Sequence, residues 1–237
     1  GKIKISLSLN LSFGMLSGAI EDYLKTIYKL QWGREERVTT SAISDRLGLS
    51  PAAVTGMIKK MAEMGLVRHT PYQGVELTTT GLKVALEVIR HHRLIELYLI
   101  EALGLSWDKV HDEAEKLEHV LSEEVEDKIA QALGWPTRDP HGGTIPTKDG
   151  RVEDTVLALL SDLEPGASAI VRQVSDRDAE MLRYLATLGL KPGAPVDLME
   201  RAPFNGPLRV RVGGDEHVLG SELASHVRVE VSKAASA

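Results

Sequence analysis

The sequence predicts a mainly α-helical protein with a small amount of β-structure: an N-terminal winged helix-turn-helix, an all-helical middle domain and a small C-terminal β-barrel. Apolar residues make up 43% of the 237 residues and aromatic residues only 4%, so Leu, Val, Ile and Ala must fill the cores, as in helix-rich proteins. Two long helical patterns occupy the middle of the chain, and short strand-like runs follow residue 163. We therefore place the domains at residues 15–85, 86–150 and 151–237.

The chain begins with a segment of alternating character, followed by a helix. Residues 2–13 alternate apolar and polar side chains, which suits an edge strand or, more simply, an extended leader. From Ser17, which can cap a helix, apolar side chains recur on one helical face until Gly33. The first helix is therefore predicted between these two residues.

Residues 38–61 have the pattern of a helix-turn-helix. A short helix leads to a turn at Gly48, after which Ser50 can cap a second helix. Pro51 would take the first helical position, where its missing N–H costs nothing. Two strand-like runs between residues 65 and 78 then predict a β-hairpin wing, so the whole unit is predicted to be a winged helix.

The middle domain is predicted to consist of two long helices, at residues 80–100 and 108–133. Both are long enough to form a dimer interface. Pro, Gly and Asp are concentrated between residues 136 and 150, which predicts a linker or an extended loop. A short helix at residues 153–160 is expected to follow.

The C-terminal region has the pattern of a small β-rich domain. We predict one helix at residues 176–188 and later strands at residues 195–200, 208–212, 217–219 and 227–231. Short strands separated by Gly and Pro turns are typical of a small β-barrel.

Composition excludes several kinds of chemistry. The chain has no Cys, which excludes disulfides, thiolate metal sites and a Cys nucleophile, so any metal must be held by His and carboxylates. No run of about eighteen apolar residues is present, and residues 1–18 lack the apolar core of a signal peptide. Neither membrane insertion nor export is indicated, and we expect the protein to act in the cytoplasm.

Charge is distributed unevenly along a chain whose net charge is −6. Residues 41–70 are mildly basic, whereas residues 111–127 carry eight carboxylates and one basic side chain, Lys116. The first segment suits phosphate and the second suits cations.

The second helix of the helix-turn-helix, at residues 51–64, is the predicted DNA-reading helix. Its first turns carry small and hydroxyl side chains, which suit thymine methyl groups and polar base edges, while nearby basic side chains suit phosphates. The candidate DNA-binding residues are Arg46, Ser50, Pro51, Ala52, Ala53, Thr55, Lys59 and Lys60. A helical pair that makes only protein contacts is the alternative.

The segment at residues 111–119 carries the strongest indication of chemistry. On a helix, Glu115, Glu118 and His119 share one face, one turn beyond His111. Three such ligands can hold a divalent ion if a fourth arrives from elsewhere, and carboxylate-rich sites suit Mn²⁺. The spacing is equally compatible with a solvated acidic face.

A second pair, His92 and Glu96, is spaced i, i+4 on the preceding helix and could form another site with His111. Taken alone, such pairs are common on helix surfaces. The zinc-protease pattern of two histidines four residues apart beside a Glu is absent, and the acidic segment offers only one cluster of Glu and His, at residues 115–119. We therefore predict no enzymatic activity.

Three motifs stand out beside the helix-turn-helix: EDYLKTIY at residues 21–28, HRLIE at 92–96 and VHDEAEKLEHVLS at 110–122. Together they resemble the diphtheria toxin repressor family of iron- and manganese-dependent regulators, over about residues 15–146. The C-terminal region, with LSDLEPG and RAPFNGPL, is similar to the SH3-like domain that longer members share with a small ferrous-transport accessory protein.

The resemblance implies a primary metal site formed by Asp22, Glu115, Glu118 and His119. In iron-type members the first two ligands are Met and Cys, whereas Asp and Glu are those of manganese-type members. The resemblance thus implies Mn²⁺, with Fe²⁺ or another divalent transition metal as the alternative. The chain departs from the manganese-type pattern at Lys25, where a further carboxylate is expected, which leaves the coordination number open.

The resemblance also implies an ancillary metal site on the helices, formed by His92, Glu96 and His111. The SH3-like domain completes this site in longer members, and Asp178 matches its acidic ligand. The amide-bearing residue that accompanies it in the family is Met181 here, which cannot bind a hard ion.

We therefore predict a metal-dependent repressor that binds operator DNA as a homodimer and controls genes of metal uptake and homeostasis. An ion held by Asp22 together with Glu118 and His119 would set the separation of the two DNA-reading helices. One alternative is a winged-helix regulator that senses a small organic effector, and another is a metal-dependent activator.

Overall fold

The computed structural model describes residues 16–31, 37–152, 156–176 and 178–232. The predicted leader, the helix end at Gly33 and the start of the predicted helix at residues 153–160 lie outside these ranges. The chain divides into two compact units, Gly1–Val88 and Ile89–Ala237, which are described separately. The three-domain boundaries given above remain a prediction.

The first unit consists of three helices, a hairpin and the beginning of a long fourth helix. Its elements are α1 (Gly18–Gln31), α2 (Thr40–Leu47), α3 (Pro51–Glu63), β1 (Val67–Thr70), β2 (Gly74–Leu77) and the first part of α4 (Thr79–Glu101). The strands β1 and β2 pair antiparallel. This order confirms the predicted winged helix-turn-helix.

Local signals in the sequence explain the boundaries of α2 and α3. The Thr39 side chain accepts a hydrogen bond from Ala42 N at the start of α2, and Gly48, with φ 64°, ends that helix in the left-handed region. Ser50 and Pro51 begin α3 as predicted. The core of the unit is formed by fully buried side chains, among them Leu24, Ile27, Ile43, Val54, Ile58 and Val75.

The second unit begins with the rest of α4 and continues with α5 (Val110–Leu117) and α6 (Glu123–Ala132). The prediction of one helix at residues 108–133 is wrong, because the helix is interrupted between α5 and α6. The Ser122 side chain accepts a hydrogen bond from Val125 N and so starts a new helix. As a result, Glu118 caps the C-terminus of α5 and His119 lies in the turn that follows.

The C-terminal part of this unit is one antiparallel sheet with short helices. Its elements are β3 (Ala158–Leu159), a 3-10 turn (Leu160–Asp162), β4 (Ser168–Val174), α7 (Ala179–Thr187), β5 (Pro195–Arg201), β6 (Leu208–Val212), β7 (Asp215–Leu219), α8 (Ser221–Ser225) and β8 (Val227–Val231). The strand order is β3-β8-β4-β5-β6-β7. Its core includes the fully buried side chains of Val171, Leu182, Leu198, Val210 and Val229.

Two sequence predictions for this part need correction. The helix expected at residues 153–160 is wrong in its described portion, because Ala158 pairs with Val229 in the sheet instead. The predicted barrel is not closed: among the described residues, the edge strands β3 and β7 do not pair with each other. None of the described helices combines the length and apolarity that crossing a lipid bilayer demands.

Candidate metal centre and DNA-reading helix

Helix α3 buries one face and exposes the other. Val54, Ile58 and Met61 are fully buried. Most of the candidate DNA-binding residues lie on the exposed face, namely Ser50, Pro51, Ala52, Ala53, Lys59 and Lys60, while Arg46 and Thr55 are half-buried. The exposed face of α3 can therefore present small and basic side chains to a partner.

The two hydroxyl groups at the start of α3 are partly engaged. Ser50 Oγ accepts a hydrogen bond from Ala53 N at 3.3 Å, and Thr55 Oγ1 donates one to Pro51 O at 2.8 Å. Ser50 keeps its O–H for donation, and Thr55 keeps its lone pairs for acceptance. Ser50 can therefore still donate and accept one hydrogen bond each, whereas Thr55 can only accept.

In the second unit, the three helical ligands predicted for the ancillary site come together. His92 and Glu96 face inward from α4, with side chains 3% and 0% exposed. His92 Nε2 lies 3.0 Å from Glu96 Oε1 and 3.0 Å from His111 Nδ1. His111 Nδ1 lies 3.2 Å from the same Glu96 oxygen. Two imidazoles thus converge on one carboxylate oxygen.

The acidic side chain that reaches this group from the C-terminal part is Asp176 rather than Asp178. Asp176 Oδ2 lies 3.5 Å from His111 Nδ1, and it belongs with His92, Glu96 and His111 to one set of potential metal ligands. Asp178 instead caps the N-terminus of α7, because its side chain accepts hydrogen bonds from the backbone N–H groups two and three residues further along the chain. The structure therefore assigns Asp178 a helix-capping contact.

The opposite side of the His92 ring faces the acidic segment. His92 Nδ1 lies 2.6 Å from Glu118 Oε2 and 3.9 Å from Glu115 Oε1. Glu118 Oε1 in turn lies 3.4 Å from His119 Nε2. Two of the predicted primary-site residues, Glu115 and His119, thus lie near the buried carboxylate of the third, Glu118, whereas Asp22 lies half-buried on α1 in the first unit.

The second oxygen of Glu96 faces a group that the sequence did not predict, formed with Asp139 and His141. Glu96 Oε2 lies 3.6 Å from His141 Nδ1, which is too far for a hydrogen bond. Both atoms are buried and, within the described part of the chain, have no hydrogen-bond partner. Since buried polar atoms are normally paired, this donor set of imidazole and carboxylates fits a divalent ion.

The loop at residues 139–143 holds these donors in place. His141 Nε2 lies 3.0 Å from Trp107 O and donates to it, so in the neutral ring the Nδ1 lone pair faces Glu96. Asp139 Oδ1 accepts hydrogen bonds from the N–H groups of His141 and Gly143, both at 2.8 Å. The loop thus has the outer hydrogen bonds that orient metal ligands in proteins.

Electrostatics within this group favour bound positive charge. Burial would raise the pKa of Glu96, but the charge of His92 and the contact with His111 hold it well below its ordinary value. Burial would lower the pKa of His141, but the neighbouring Glu96 and Asp139 raise it to about 9. Burial and the charge of Glu96 raise the pKa of Asp139 to about 6, against the opposing effect of Arg93 and His141. Without a bound cation, His141 and Asp139 therefore keep their protons to a higher pH than usual.

Sequence reasoning missed Asp139, His141 and Asp176, and the signals for them were weak. Asp139 and His141 lie in the segment that Pro and Gly mark as a linker. Asp178 attracted the ancillary assignment although an Asp just before a helical pattern is also the usual N-cap, and that role could have pointed to Asp176 instead.

Comparison with protein families gives three matches along the chain. Residues 15–75 match the model described as the iron-dependent repressor N-terminal DNA-binding domain. Residues 78–147 match the iron-dependent repressor metal-binding and dimerisation domain, and residues 158–231 match the FeoA domain.

Whole-chain relatives agree with these matches. The iron-dependent repressor IdeR of Mycobacterium leprae (strain TN) is 34% identical over 224 residues, which cover 89% of this chain and 96% of the relative. The diphtheria toxin repressor of Corynebacterium efficiens (strain DSM 44549) is 34% identical, with coverages of 89% and 94%.

Solved structures are similar over almost the whole chain as well. A manganese-dependent transcriptional repressor in complex with manganese has a TM-score of 0.84 at 37% identity, covering 90% of this chain and 100% of that one. The manganese regulator SloR has a TM-score of 0.75 at 31% identity, with coverages of 90% and 98%.

Proposed function

The chain belongs to the family of iron-dependent repressors, which are metal-dependent transcriptional repressors and not enzymes, and from this premise we propose that its physiological co-repressor is Mn²⁺. Repressors of this family bind operator DNA and divalent metal ions, and they carry a dimerisation domain. We further propose that this protein acts as a homodimer in the cytoplasm on genes of metal uptake.

The choice of Mn²⁺ rests on the donor atoms. The proposed primary site consists of Asp22, Glu115, Glu118 and His119, which offer carboxylate oxygens and imidazole nitrogens but no sulfur. Such hard and borderline ligands suit Mn²⁺, and thiolates would select softer ions. The buried position of the Glu118 carboxylate, with its side chain 0% exposed beside His92 and His119, is the observation that carries the proposal.

A second ion is proposed around Glu96. Its ligands would be drawn from His92, Glu96 and His111 on the helices, with Asp176 in place of the predicted Asp178. Asp139 and His141 offer further potential metal ligands beside the other oxygen of Glu96. When bound, the ion supplies the positive charge that these buried carboxylates otherwise obtain from neighbouring histidines.

The proposed mechanism follows from where the ligands lie in the sequence. Asp22 belongs to the DNA-binding region, whereas Glu118 and His119 belong to the metal-binding and dimerisation region. A shared ion would restrict the DNA-reading helices of a homodimer to a separation of about one DNA turn, roughly 34 Å. Such coupling is typically worth about 1–3 kcal/mol per linked site.

The direct test is an anomalous-scattering experiment on crystals grown with Mn²⁺. We expect one peak among Asp22, Glu118 and His119 and another beside Glu96. Density at neither position in a folded, Mn²⁺-saturated protein would overturn the proposal.

Substitution of Glu115 by Cys is expected to change the metal preference. A thiolate in place of this carboxylate should shift the ranking of ions that promote operator binding from Mn²⁺ toward Fe²⁺ and other softer ions. The measurement is an anaerobic gel-shift titration with each metal. Glu113→Cys on the same helix is the matched control, because Glu113 pairs with Lys116 outside the ligand group. An unchanged ranking in Glu115→Cys would contradict the hard-ligand account.

Substitution of Gly56 by Ala is expected to separate stability from DNA binding. Gly56 is exposed within α3, and a Cβ added there would meet nothing within 4 Å. Since Gly inside a helix costs about 0.5–1 kcal/mol relative to Ala, the variant should be more stable by that amount. Operator binding should weaken, because a methyl group would be added to the DNA-reading face.

Thermal unfolding and gel shifts at saturating Mn²⁺ measure the two effects of Gly56→Ala. A variant that is more stable and binds the operator as tightly as the unsubstituted protein would place Gly56 away from the DNA.

A further inference from the structure

Beside the proposed metal sites lies a second cluster of buried ionisable side chains, formed by Arg90, His91 and Glu126. Arg90 Nε and His91 Nε2 both contact the Glu126 carboxylate, the latter at 3.2 Å. Arg90 Nη1 also donates to Pro146 O at 2.8 Å. The three side chains are 10%, 8% and 2% exposed. The cluster therefore joins α4 to α6 in a buried environment.

The carboxylate of Glu126 is the centre of this cluster. Burial would raise its pKa, but hydrogen bonds from His91 and Arg90 and the charge of Arg90 lower it below the ordinary value. Glu126 is thus an ionised acceptor that fixes the plane of the His91 ring through Nε2.

The other nitrogen of His91 reaches the chain at the proposed primary site. His91 Nδ1 lies 3.2 Å from Glu118 O, and because a carbonyl oxygen only accepts, Nδ1 donates this hydrogen bond. Glu118 caps the C-terminus of α5, where carbonyl groups lack helical N–H partners. His92 meanwhile lies 2.6 Å from the Glu118 carboxylate. Two consecutive histidines thus hold Glu118 by its main chain and by its side chain.

We propose that His91, oriented by Glu126, is a positioning residue for the metal site that includes Glu118 and His119. This inference rests on the proposed function of that site. The His91 hydrogen bond ends on the carbonyl that joins the two ligand residues, so it fixes the backbone from which both side chains extend. Outer hydrogen bonds of this kind typically change metal affinity about 10–100-fold.

Stability alone does not account for the cluster. Replacing a buried ion pair by apolar side chains of similar volume is often neutral or stabilising, because burial of charges costs desolvation energy. An apolar residue at position 91 could fill the space but could not donate to Glu118 O. The hydrogen bond to the ligand-bearing turn is what the histidine adds.

The test compares full-length variants by Mn²⁺ titration calorimetry and by the electron paramagnetic resonance spectrum of bound Mn²⁺. His91→Leu removes the donor, whereas His91→Asn keeps an amide N–H where Nδ1 lies. We expect His91→Leu to weaken one class of Mn²⁺ site about 10–100-fold, and His91→Asn to recover most of this loss. Glu124→Gln, an exposed position on the same helix as Glu126, should behave like the unsubstituted protein.

Further variants separate the possible failures. Glu118→Gln should abolish the class of site that His91→Leu weakens; if it leaves Mn²⁺ binding intact, the metal site itself is misassigned. Thermal unfolding without metal shows whether His91→Leu is folded. If Glu118→Gln abolishes that class of site but folded His91→Leu keeps its Mn²⁺ affinity within about twofold, the positioning role is overturned, because a loss of about 10–100-fold is expected. Equal losses in His91→Asn and His91→Leu would overturn it too. Should His91→Leu not fold, Glu126→Ala, which removes the acceptor of the His91 Nε2 hydrogen bond, decides in its place, and unchanged affinity in that folded variant rejects the role.

Discussion

Replacing Glu118 by Gln is expected to abolish Mn²⁺-dependent operator binding at metal concentrations that saturate the unsubstituted protein. Glu118 contributes both carboxylate oxygens to the cluster, one beside His92 and one beside His119. Because loss of an outer hydrogen bond already costs about 10–100-fold in metal affinity, loss of a ligand charge should raise the Mn²⁺ requirement by more than about 100-fold. A gel-shift titration with Mn²⁺ measures this requirement.

The control for this prediction is Asp112→Asn on the same helix, where the side chain is exposed. Asp112→Asn removes one negative charge from α5 without touching the ligand group, and it should leave the Mn²⁺ requirement nearly unchanged. If both variants shift equally, the effect comes from net charge on α5 and not from coordination. Metal-free thermal unfolding verifies that the Gln variant is folded.

The second large effect is expected for Gly142→Ala in the loop at residues 139–143. Gly142 has φ +89°, and a Cβ added there would lie 1.8 Å from the backbone oxygen of Arg172 on β4. Backbone strain of about 1–2 kcal/mol and a clash with main chain should together lower the free energy of unfolding by about 3 kcal/mol or more. Since His141 and Asp139 lie in the same loop, Mn²⁺ binding beside Glu96 should weaken as well.

Gly166→Ala is the matched control for this variant. Gly166 also has φ +89°, but a Cβ there would meet nothing within 4 Å. The variant therefore bears the backbone strain without the clash, and we expect a loss of about 1–2 kcal/mol with unchanged Mn²⁺ binding. Denaturant unfolding and Mn²⁺ titration of both variants measure the difference, and equal effects would refute the steric account.

The winged helix could be predicted because its signals are local. Ser50, Pro51 and Gly48 fix helix boundaries through capping and backbone conformation, which depend on a few neighbouring residues. The break after α5 was missed although Ser122 precedes a helical pattern, because the apolar periodicity on both sides hides a change of helix.

The donors around Glu96 show what local signals cannot supply. His92 and Glu96 are one turn apart on α4, and their spacing alone suggested a pair. His141 reaches Glu96 from 45 positions later, a proximity created by how the loop folds against Trp107. Likewise Asp176 and Asp178 are separated by one residue, and only the start of α7 decides which of them caps the helix. Long-range placement of this kind is set by tertiary packing.

The loop at residues 139–143 has a composition that usually marks a tolerant joint between folded parts. Here its central residues are buried and hydrogen-bonded to the scaffold on both sides, from Trp107 to β4. Lengthening or cutting this segment would therefore separate the side chains of one proposed ion site, in addition to loosening the connection between folded parts. Evolutionary insertions and protease cleavage should accordingly be confined to other surface turns of the molecule.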